Sequence, residues 1–165
     1  MQLNEAKQKF IAAWGTFGSN WGINRTMAQI HALLLCSIPE LSAEQIMEQL
    51  EISRGNANMN LRALIDIGLI HKKLKTGDRR EYFFAEKNML KVVRQIIQHR
   101  KRKELAPLLE MLEAVKGISE KGSETDEFIG TIDDIQLFAQ RTDKLLDIML
   151  EADAEWLLNN FLRFK

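Results

Sequence analysis

Cysteine, proline and long apolar runs are all scarce in this sequence, and each scarcity excludes a class of protein. Cys36 is the only cysteine among 165 residues, so one chain can form neither a disulfide nor a cysteine-based zinc site. Two prolines and nine glycines leave few helix breakers, which favours long helices. No apolar run exceeds five residues, as in Ala32–Cys36, whereas a membrane span needs roughly 18. The first seven residues lack the apolar core of a secretion signal, and we therefore expect a cytoplasmic protein.

The residue types that carry catalysis or bind metals do not fall into any familiar arrangement. His31, His71 and His99 do not have the sequence spacing of metal ligands. Cys36 follows three leucines, and we therefore expect it to be a buried, unreactive thiol. No Ser/His/Asp, Cys/His or paired-carboxylate set stands out, and the chain has no glycine-rich phosphate loop. We expect neither enzymatic activity nor a metal or other cofactor.

An excess of one charge is absent from the chain as a whole but present in its middle. The 23 basic and 23 acidic residues cancel. Residues 53–103, however, carry 14 Lys or Arg and 4 Asp or Glu, a net charge of +10. Residues 1–52 carry −2 and residues 104–165 carry −8. A basic middle between acidic flanks indicates a segment that binds a polyanion while the rest of the chain is repelled from it.

Helical apolar spacing dominates the first fifty residues. It predicts helices over residues 3–19 and 25–37, the second ended by Pro39. Ser42 lies three residues before Gln45, which is the spacing of a capping box, and predicts a third helix that ends near residue 50.

The basic middle reads as a helix followed by a hairpin. Ser53 is a suitable N-cap for a helix over residues 54–67, and Gly68 stands where a left-handed C-cap belongs. Two short β-prone runs, residues 69–74 and 81–85, flank a cationic Gly-Asp turn and predict a two-stranded hairpin.

Long helices are also expected after the hairpin. One begins near Glu86 and is kinked or restarted at Pro107, and another covers residues 124–152. The second has an apolar seam at alternating spacings of four and three: Phe128, Ile132, Ile135, Ala139, Thr142, Leu146 and Met149. A short tail helix is expected around Trp156, Leu157, Phe161 and Leu162.

The helix over residues 54–67 has a small, amide-rich and cationic face opposite its apolar stripe. At 100° per residue that face holds Gly55, Asn56, Met59 and Arg62, with Asn58 nearer its flank. No acid lies in its first three turns. The face suits a major groove about 12 Å wide, where asparagine pairs with adenine, arginine with guanine, and methionine contacts the thymine methyl.

The hairpin and two helix starts complete the expected DNA-contacting surface. Hairpin cations could reach a flanking minor groove or phosphates, and hydroxyls near helix N-termini could bind phosphates. The expected DNA-contacting residues are Thr26, Ser42, Ser53, Arg54, Asn56, Asn58, Met59, Arg62, Lys73, Lys75, Arg79 and Arg80.

Three stretches of the chain resemble the GbsR branch of the MarR-like winged helix-turn-helix regulators. They are residues 52–64 (ISRGNANMNLRAL), residues 68–70 (GLI) and residues 75–83 (KTGDRREYF). The resemblance covers residues 10–100 well and the later helices only in general character. It implies a homodimer on a palindromic operator, often repression, and in some relatives a response to choline.

We therefore expect a mainly α-helical winged helix-turn-helix protein with long C-terminal dimerisation helices. Residues 1–22 would form an N-terminal dimerisation helix, residues 23–86 the DNA-binding domain, and residues 87–165 a helical region for dimerisation and effector binding. The expected function is that of a transcriptional regulator, a repressor bound to double-stranded DNA as a homodimer.

Two features leave alternatives open. The aromatic residues Phe10, Trp14, Phe17 and Trp21 predict either packing or dimer contact, or an aromatic cage for a quaternary ammonium ligand. The basic face could instead meet an acidic protein, in which case the winged helix is a protein-interaction module without sequence-specific DNA binding.

Overall fold

The fold is mainly helical, with one small antiparallel sheet. The computed structural model describes residues 1–152, and the predicted tail helix lies outside them. In chain order the elements are α1 Leu3–Asn20, α2 Arg25–Cys36, β1 Leu41–Ser42, α3 Ala43–Leu50, α4 Arg54–Ile67, β2 Ile70–Leu74, β3 Glu81–Ala85, α5 Met89–Arg100, a π-helical turn Lys101–Leu105, α6 Ala106–Val115 and α7 Ser123–Glu151. The chain forms two compact units, Met1–Gln95 and a second that begins at Ile96.

The helix boundaries follow from local capping chemistry. Ser42 Oγ accepts a hydrogen bond from the Gln45 backbone N–H at 3.3 Å, and Gln45 Oε1 accepts one from the Ser42 N–H at 2.8 Å. Ser53 Oγ accepts from the Asn56 N–H at 3.3 Å, and Gly68 ends α4 with φ +85°. The predicted capping box and the predicted bounds of α4 are confirmed.

The hairpin is confirmed, and it gains a third strand that the sequence did not predict. β2 and β3 pair antiparallel, with Lys73 opposite Tyr82. The two-residue strand β1 pairs with the other edge of β3, placing Leu41 opposite Phe83. So short a strand has no periodicity of its own, and its pairing with β3 therefore leaves no signal in the sequence.

The core of the first unit lies between its helices and the sheet. Its largest fully buried apolar side chains are Ile30, Leu34, Ile46, Leu64 and Ile70. Helix α1 packs closely on α2 through its glycines, because a Cβ on Gly18 would lie 2.6 Å from Ala28 Cβ. The side of α1 that faces away from α2 is therefore exposed to solvent.

Helix α5 begins three residues later than predicted. The side chain of Asn88 accepts the backbone N–H of Lys91 at 3.2 Å, and the Glu86 carboxylate accepts the N–H of Asn88 at 3.0 Å. Residues 86–88 thus form a turn ahead of the helix. The predicted restart near Pro107 is observed as the π-helical turn that ends at Leu105, because proline has no N–H to donate into a regular helix.

The second unit has a small core of its own, formed by Leu112 on α6 with Ile132 and Ala139 on α7. Lys101 Nζ lies 2.8 Å from carboxylate oxygens of both Asp143 and Asp147. Buried and exposed residues divide the predicted seam of α7 into two. Ile132 and Ala139 face this core, whereas Phe128 and Ile135 are exposed. Ile135 forms an exposed apolar line with Phe138 and Leu145, two residues outside the predicted seam.

Candidate nucleic-acid interface

The first turns of α4 form an open, acid-free surface. Arg54, Gly55, Asn58, Met59 and Arg62 are exposed, with Met59 at 59%. A Cβ on Gly55 would meet no atom within 4 Å, so nothing in the protein requires glycine there. Because the first turn contains no acid, its free backbone N–H groups and the helix dipole favour an approaching anion.

Asn56 lies at the edge of this surface and is held by a residue that sequence reasoning missed. Asn60 is only 3% exposed, and its Nδ2 donates to the Asn56 carbonyl oxygen at 2.8 Å and to Asn56 Oδ1 at 2.6 Å. Asn60 was overlooked because a residue on the buried stripe was not expected to be polar. The signal was its spacing of four from Asn56, which puts the two amides on adjacent turns.

Most cations of the hairpin are paired with acids of the protein itself. Glu40, in the loop before β1, forms ion pairs with Lys73 and, at 3.5 Å, with Lys75. The hydrogen bond from Lys73 is the largest of the effects that lower the pKa of Glu40 to about 2. Arg80 pairs with Asp78 at 2.7 Å, and the same contact is the main cause of a depressed pKa at Asp78. These pairs were not foreseen.

Tyr82 links the paired cations into one network beside the hairpin turn. Its hydroxyl donates to Asp78 at 2.7 Å, and Lys75 Nζ lies 3.9 Å from the centre of its ring. Within residues 1–152, Arg79 is the exposed hairpin cation at the turn that makes no ion pair. The hairpin turn therefore presents one guanidinium, that of Arg79, which no carboxylate of residues 1–152 engages.

Glu44 of α3 is influenced by positive charges from both α4 and the hairpin. The pKa of Glu44 is lowered by its own backbone N–H, then by the Ser42 hydroxyl, and further by the positive charges of Arg54 and Arg80. Arg54 at the start of α4 and Arg80 of the hairpin thus both favour the charged form of the Glu44 carboxylate.

The two hydroxyls expected near phosphates have different surroundings. Ser42 is fully buried at 0% exposure, and its hydroxyl is occupied by the capping box, so the expected phosphate contact through this side chain is withdrawn. Thr26 is half-buried in the first turn of α2, which Asn24 caps by accepting the Met27 N–H at 3.2 Å.

The four aromatic residues of α1 form a row along the helix. Ring centroids lie 5.3 Å apart for Phe10 and Trp14, 5.7 Å for Trp14 and Phe17, and 5.6 Å for Phe17 and Trp21. Phe10, Phe17 and Trp21 are exposed. Each ring contacts the next one along the row, which gives α1 a long aromatic face suited to contact with another apolar surface.

His31 lies beneath this row, in the contact between α1 and α2. Its ring centroid is 6.3 Å from that of Trp14, and the residue is 4% exposed. Within the part of the chain that the structure describes, its Nε2 has no hydrogen-bond partner. Burial lowers the pKa of His31 to about 4, so the imidazole is neutral in the folded protein near pH 7.

Comparison with solved structures supports the fold. The chain is similar to the crystal structure of a transcriptional regulator, with 20% identity over 88% of this chain and 95% of that chain and a TM-score of 0.69. A DNA-bound mutant of S. aureus MepR matches at 15% identity over 84% of this chain and 92% of that chain, with a TM-score of 0.41. No known protein-family profile and no curated protein sequence matches the chain. The mainly α-helical winged helix-turn-helix fold is confirmed.

Residues 1–152 contain neither a membrane-spanning helix nor a metal-binding cluster. Between residues 1 and 152, no helix combines the length and apolar character needed to cross a bilayer. The same residues contain no cluster of three or more His, Cys, Asp or Glu side chains arranged to hold a metal ion.

Proposed function

We propose that the protein is a sequence-specific double-stranded DNA-binding regulator that acts in the cytoplasm as a homodimer and represses transcription from a palindromic operator. The observation that carries the proposal is the exposed, acid-free face of α4 next to a hairpin whose tip carries Arg79. In this arrangement α4 enters the major groove and the hairpin reaches the flanking minor groove, where negative potential favours arginine.

The proposed contacts fall into two groups by chemistry. Asn56, Asn58, Met59 and Arg62 offer amide, thioether and guanidinium groups to base edges. Phosphate contacts come from the start of α4 and from the hairpin, because cations and free N–H groups bind phosphate regardless of sequence. The second group contains Thr26, Ser53, Arg54, Lys73, Lys75, Arg79 and Arg80.

The ion pairs divide the hairpin cations further. Lys73, Lys75 and Arg80 are already engaged by Glu40 and Asp78, so a DNA phosphate must compete with these carboxylates. Arg79 faces no such competition. We therefore assign the main minor-groove contact to Arg79 and treat the paired residues as the support that holds it in place.

Homodimer formation is assigned to α7 and α1. Helix α7 exposes Ile135, Phe138 and Leu145 at heptad spacing, and α1 exposes its aromatic row. A second copy would cover such apolar surface by the same residues under two-fold symmetry. The two copies of α4 would then lie one helical turn of DNA apart.

We place the chain in the GbsR branch by the motifs of residues 52–83. We propose the aromatic row of α1 as the place where a small quaternary ammonium effector would act.

Selection of bound duplexes from a random library tests this function. The expected product is a palindrome with half-site centres about 10 base pairs apart. A pool without any enriched sequence would favour the alternative, a winged helix that binds an acidic protein partner. Repeating the selection with choline present tests whether a small cation alters binding.

Arg62→Ala is expected to relax the choice of base at one position in each half-site. It should also weaken binding to the selected operator about 10- to 100-fold, the usual worth of an arginine–guanine contact. Lys121→Ala, which removes an exposed cation far along the chain from α4, serves as the control and should leave both properties unchanged. Equal weakening on all sequences would show that Arg62 binds a phosphate instead.

Gly55→Ala is expected to move stability and DNA affinity in opposite directions. Since a Cβ there meets no atom within 4 Å, alanine should raise the free energy of unfolding by up to about 1 kcal/mol through helix propensity. It should weaken operator binding, because the added methyl keeps the start of α4 away from the DNA backbone. Thermal unfolding and gel shifts measure the two effects.

Gly130→Ala is the matched control for this variant. Gly130 is also helical, and its Cβ would also meet nothing within 4 Å. It should stabilise the protein by a similar amount without changing operator affinity. An unchanged affinity for Gly55→Ala would instead mean that the start of α4 does not approach DNA closely.

A further inference from the structure

A buried asparagine in the middle of an apolar stripe is the least expected residue of α4. Asn60 lies between Ala57, Leu61 and Leu64 on the core side, at 3% exposure. A buried amide costs free energy unless it is hydrogen-bonded, and an apolar residue would serve packing as well. The amide nitrogen of Asn60 is satisfied by a single residue, Asn56.

The chemistry of the two acceptors fixes the orientation of both side-chain amides. The Asn56 carbonyl oxygen can only accept, so the Asn60 atom 2.8 Å from it must be the donating nitrogen. That nitrogen lies 2.6 Å from the side-chain amide of Asn56, and two amide nitrogens would both be donors. The Asn56 atom that faces Asn60 is therefore Oδ1, and its Nδ2 points the other way.

We infer that Asn60 is a positioning residue for base recognition, which holds Asn56 so that it offers donors rather than a donor and an acceptor. This inference rests on the proposed DNA-binding function. Bidentate pairing with adenine needs both atoms of the amide turned toward the base. With Oδ1 held by Asn60, Asn56 prefers base edges that offer acceptors without a donor, those of guanine and thymine. Adenine is less favoured because its N6 donor lies beside the N7 acceptor, and cytosine is disfavoured because its major-groove group is a donor. This preference differs from the asparagine–adenine pairing expected from the sequence.

Asn60→Leu is the informative substitution. Leucine matches the surroundings of residue 60 and should not lower the free energy of unfolding, since it replaces a buried amide with an apolar group of similar size. Freed from Asn60, Asn56 can turn its Oδ1 outward and pair with adenine. At the base position where Asn56→Ala abolishes selectivity, we expect the preference for guanine or thymine over adenine to fall about five-fold or more.

A double variant shows whether Asn60 acts through Asn56. In an Asn56→Ala background, Asn60→Leu should change no base preference, because the side chain it positions is gone. Asp66→Asn, which alters an exposed side chain in the last turn of the same helix, should leave the preference at the Asn56 position unchanged. Should Asn60→Leu fail to fold by circular dichroism, Asn60→Ala also removes the donor and carries the same expectation.

The outcomes separate this inference from the function on which it rests. Wild-type protein that enriches no sequence would overturn the proposed function. Wild-type protein that selects an operator, together with an Asn60→Leu variant of identical base preference, would overturn the role of Asn60 alone. An altered preference that persists in the Asn56→Ala background would also overturn it, since Asn60 would then act through another residue.

Discussion

Phe138→Glu is expected to convert a dimer into a monomer and to weaken binding to a complete palindrome about 100- to 10,000-fold. Phe138 is 74% exposed at the centre of the apolar line on α7, between Ile135 and Leu145. Two copies that dock through this line would bring two glutamates into an apolar contact, where unpaired charge is strongly unfavourable. Loss of the second half-site removes the gain from two-point binding, which accounts for the size of the effect.

Light scattering coupled to size-exclusion chromatography measures the oligomeric state, and gel shifts on full and half operators measure the affinities. The half operator should be bound almost equally by wild type and variant. Gln140→Glu adds the same charge to an exposed position on another side of α7 and should leave the dimer intact. A Phe138→Glu protein that remains dimeric would place the interface elsewhere.

Local signals made much of the first unit, Met1–Gln95, predictable. The capping box of Ser42 and Gln45, the cap at Ser53 and the left-handed Gly68 each involve residues within four positions of one another. Such contacts form in the same way whatever the rest of the chain does, so sequence spacing alone predicts them. The bounds of α4 and the location of the hairpin followed from these signals.

The pairing of the hairpin cations could not be predicted, because their acidic partners include a residue far away in the sequence. Glu40 precedes Lys73 by 33 positions, and nothing in the sequence links them until β1 pairs with β3 and β3 with β2. Charge counts treated all hairpin cations as available, whereas the fold neutralises most of them. The same holds for Asn60, whose partner is local but whose burial depends on tertiary packing.

The predicted seam of α7 shows a further limit of periodicity. Apolar residues on two adjacent lines of one helix produce a single mixed pattern in sequence, and only packing divides them. Ile132 and Ala139 face Leu112, while Ile135 lies on the exposed line. A pattern that reads as one interface is thus partly the core of the protein and partly exposed apolar surface.

Acidification from pH 7 to pH 5 is expected to lower the free energy of unfolding by about 2 kcal/mol through His31 alone. Its pKa is about 4 when folded, because burial disfavours the charged ring, and 6.5 in the unfolded chain. Between these values the unfolded state binds a proton that the folded state does not, so stability falls as pH falls. Each unit of difference is worth about 1.4 kcal/mol, and the full loss of about 3 kcal/mol is reached near pH 4.

Urea unfolding at several pH values isolates this contribution when it is repeated on His31→Phe. Phenylalanine keeps a ring against Trp14 but cannot titrate, so the loss between pH 7 and pH 5 should shrink by about 2 kcal/mol. The paired carboxylates Glu40 and Glu86 do not mask the effect. Each has a folded pKa lowered to about 2, and the largest cause is the hydrogen bond from Lys73 for Glu40 and from Lys91 for Glu86. Their contribution to the free energy of unfolding is therefore lost only as pH falls below about 4.5. His71→Phe removes a partly exposed ring that stacks on Phe84 and controls for the loss of an imidazole. An unaltered pH profile in His31→Phe would mean that water or a proton reaches the ring in the folded state, and that α1 does not seal the contact with α2.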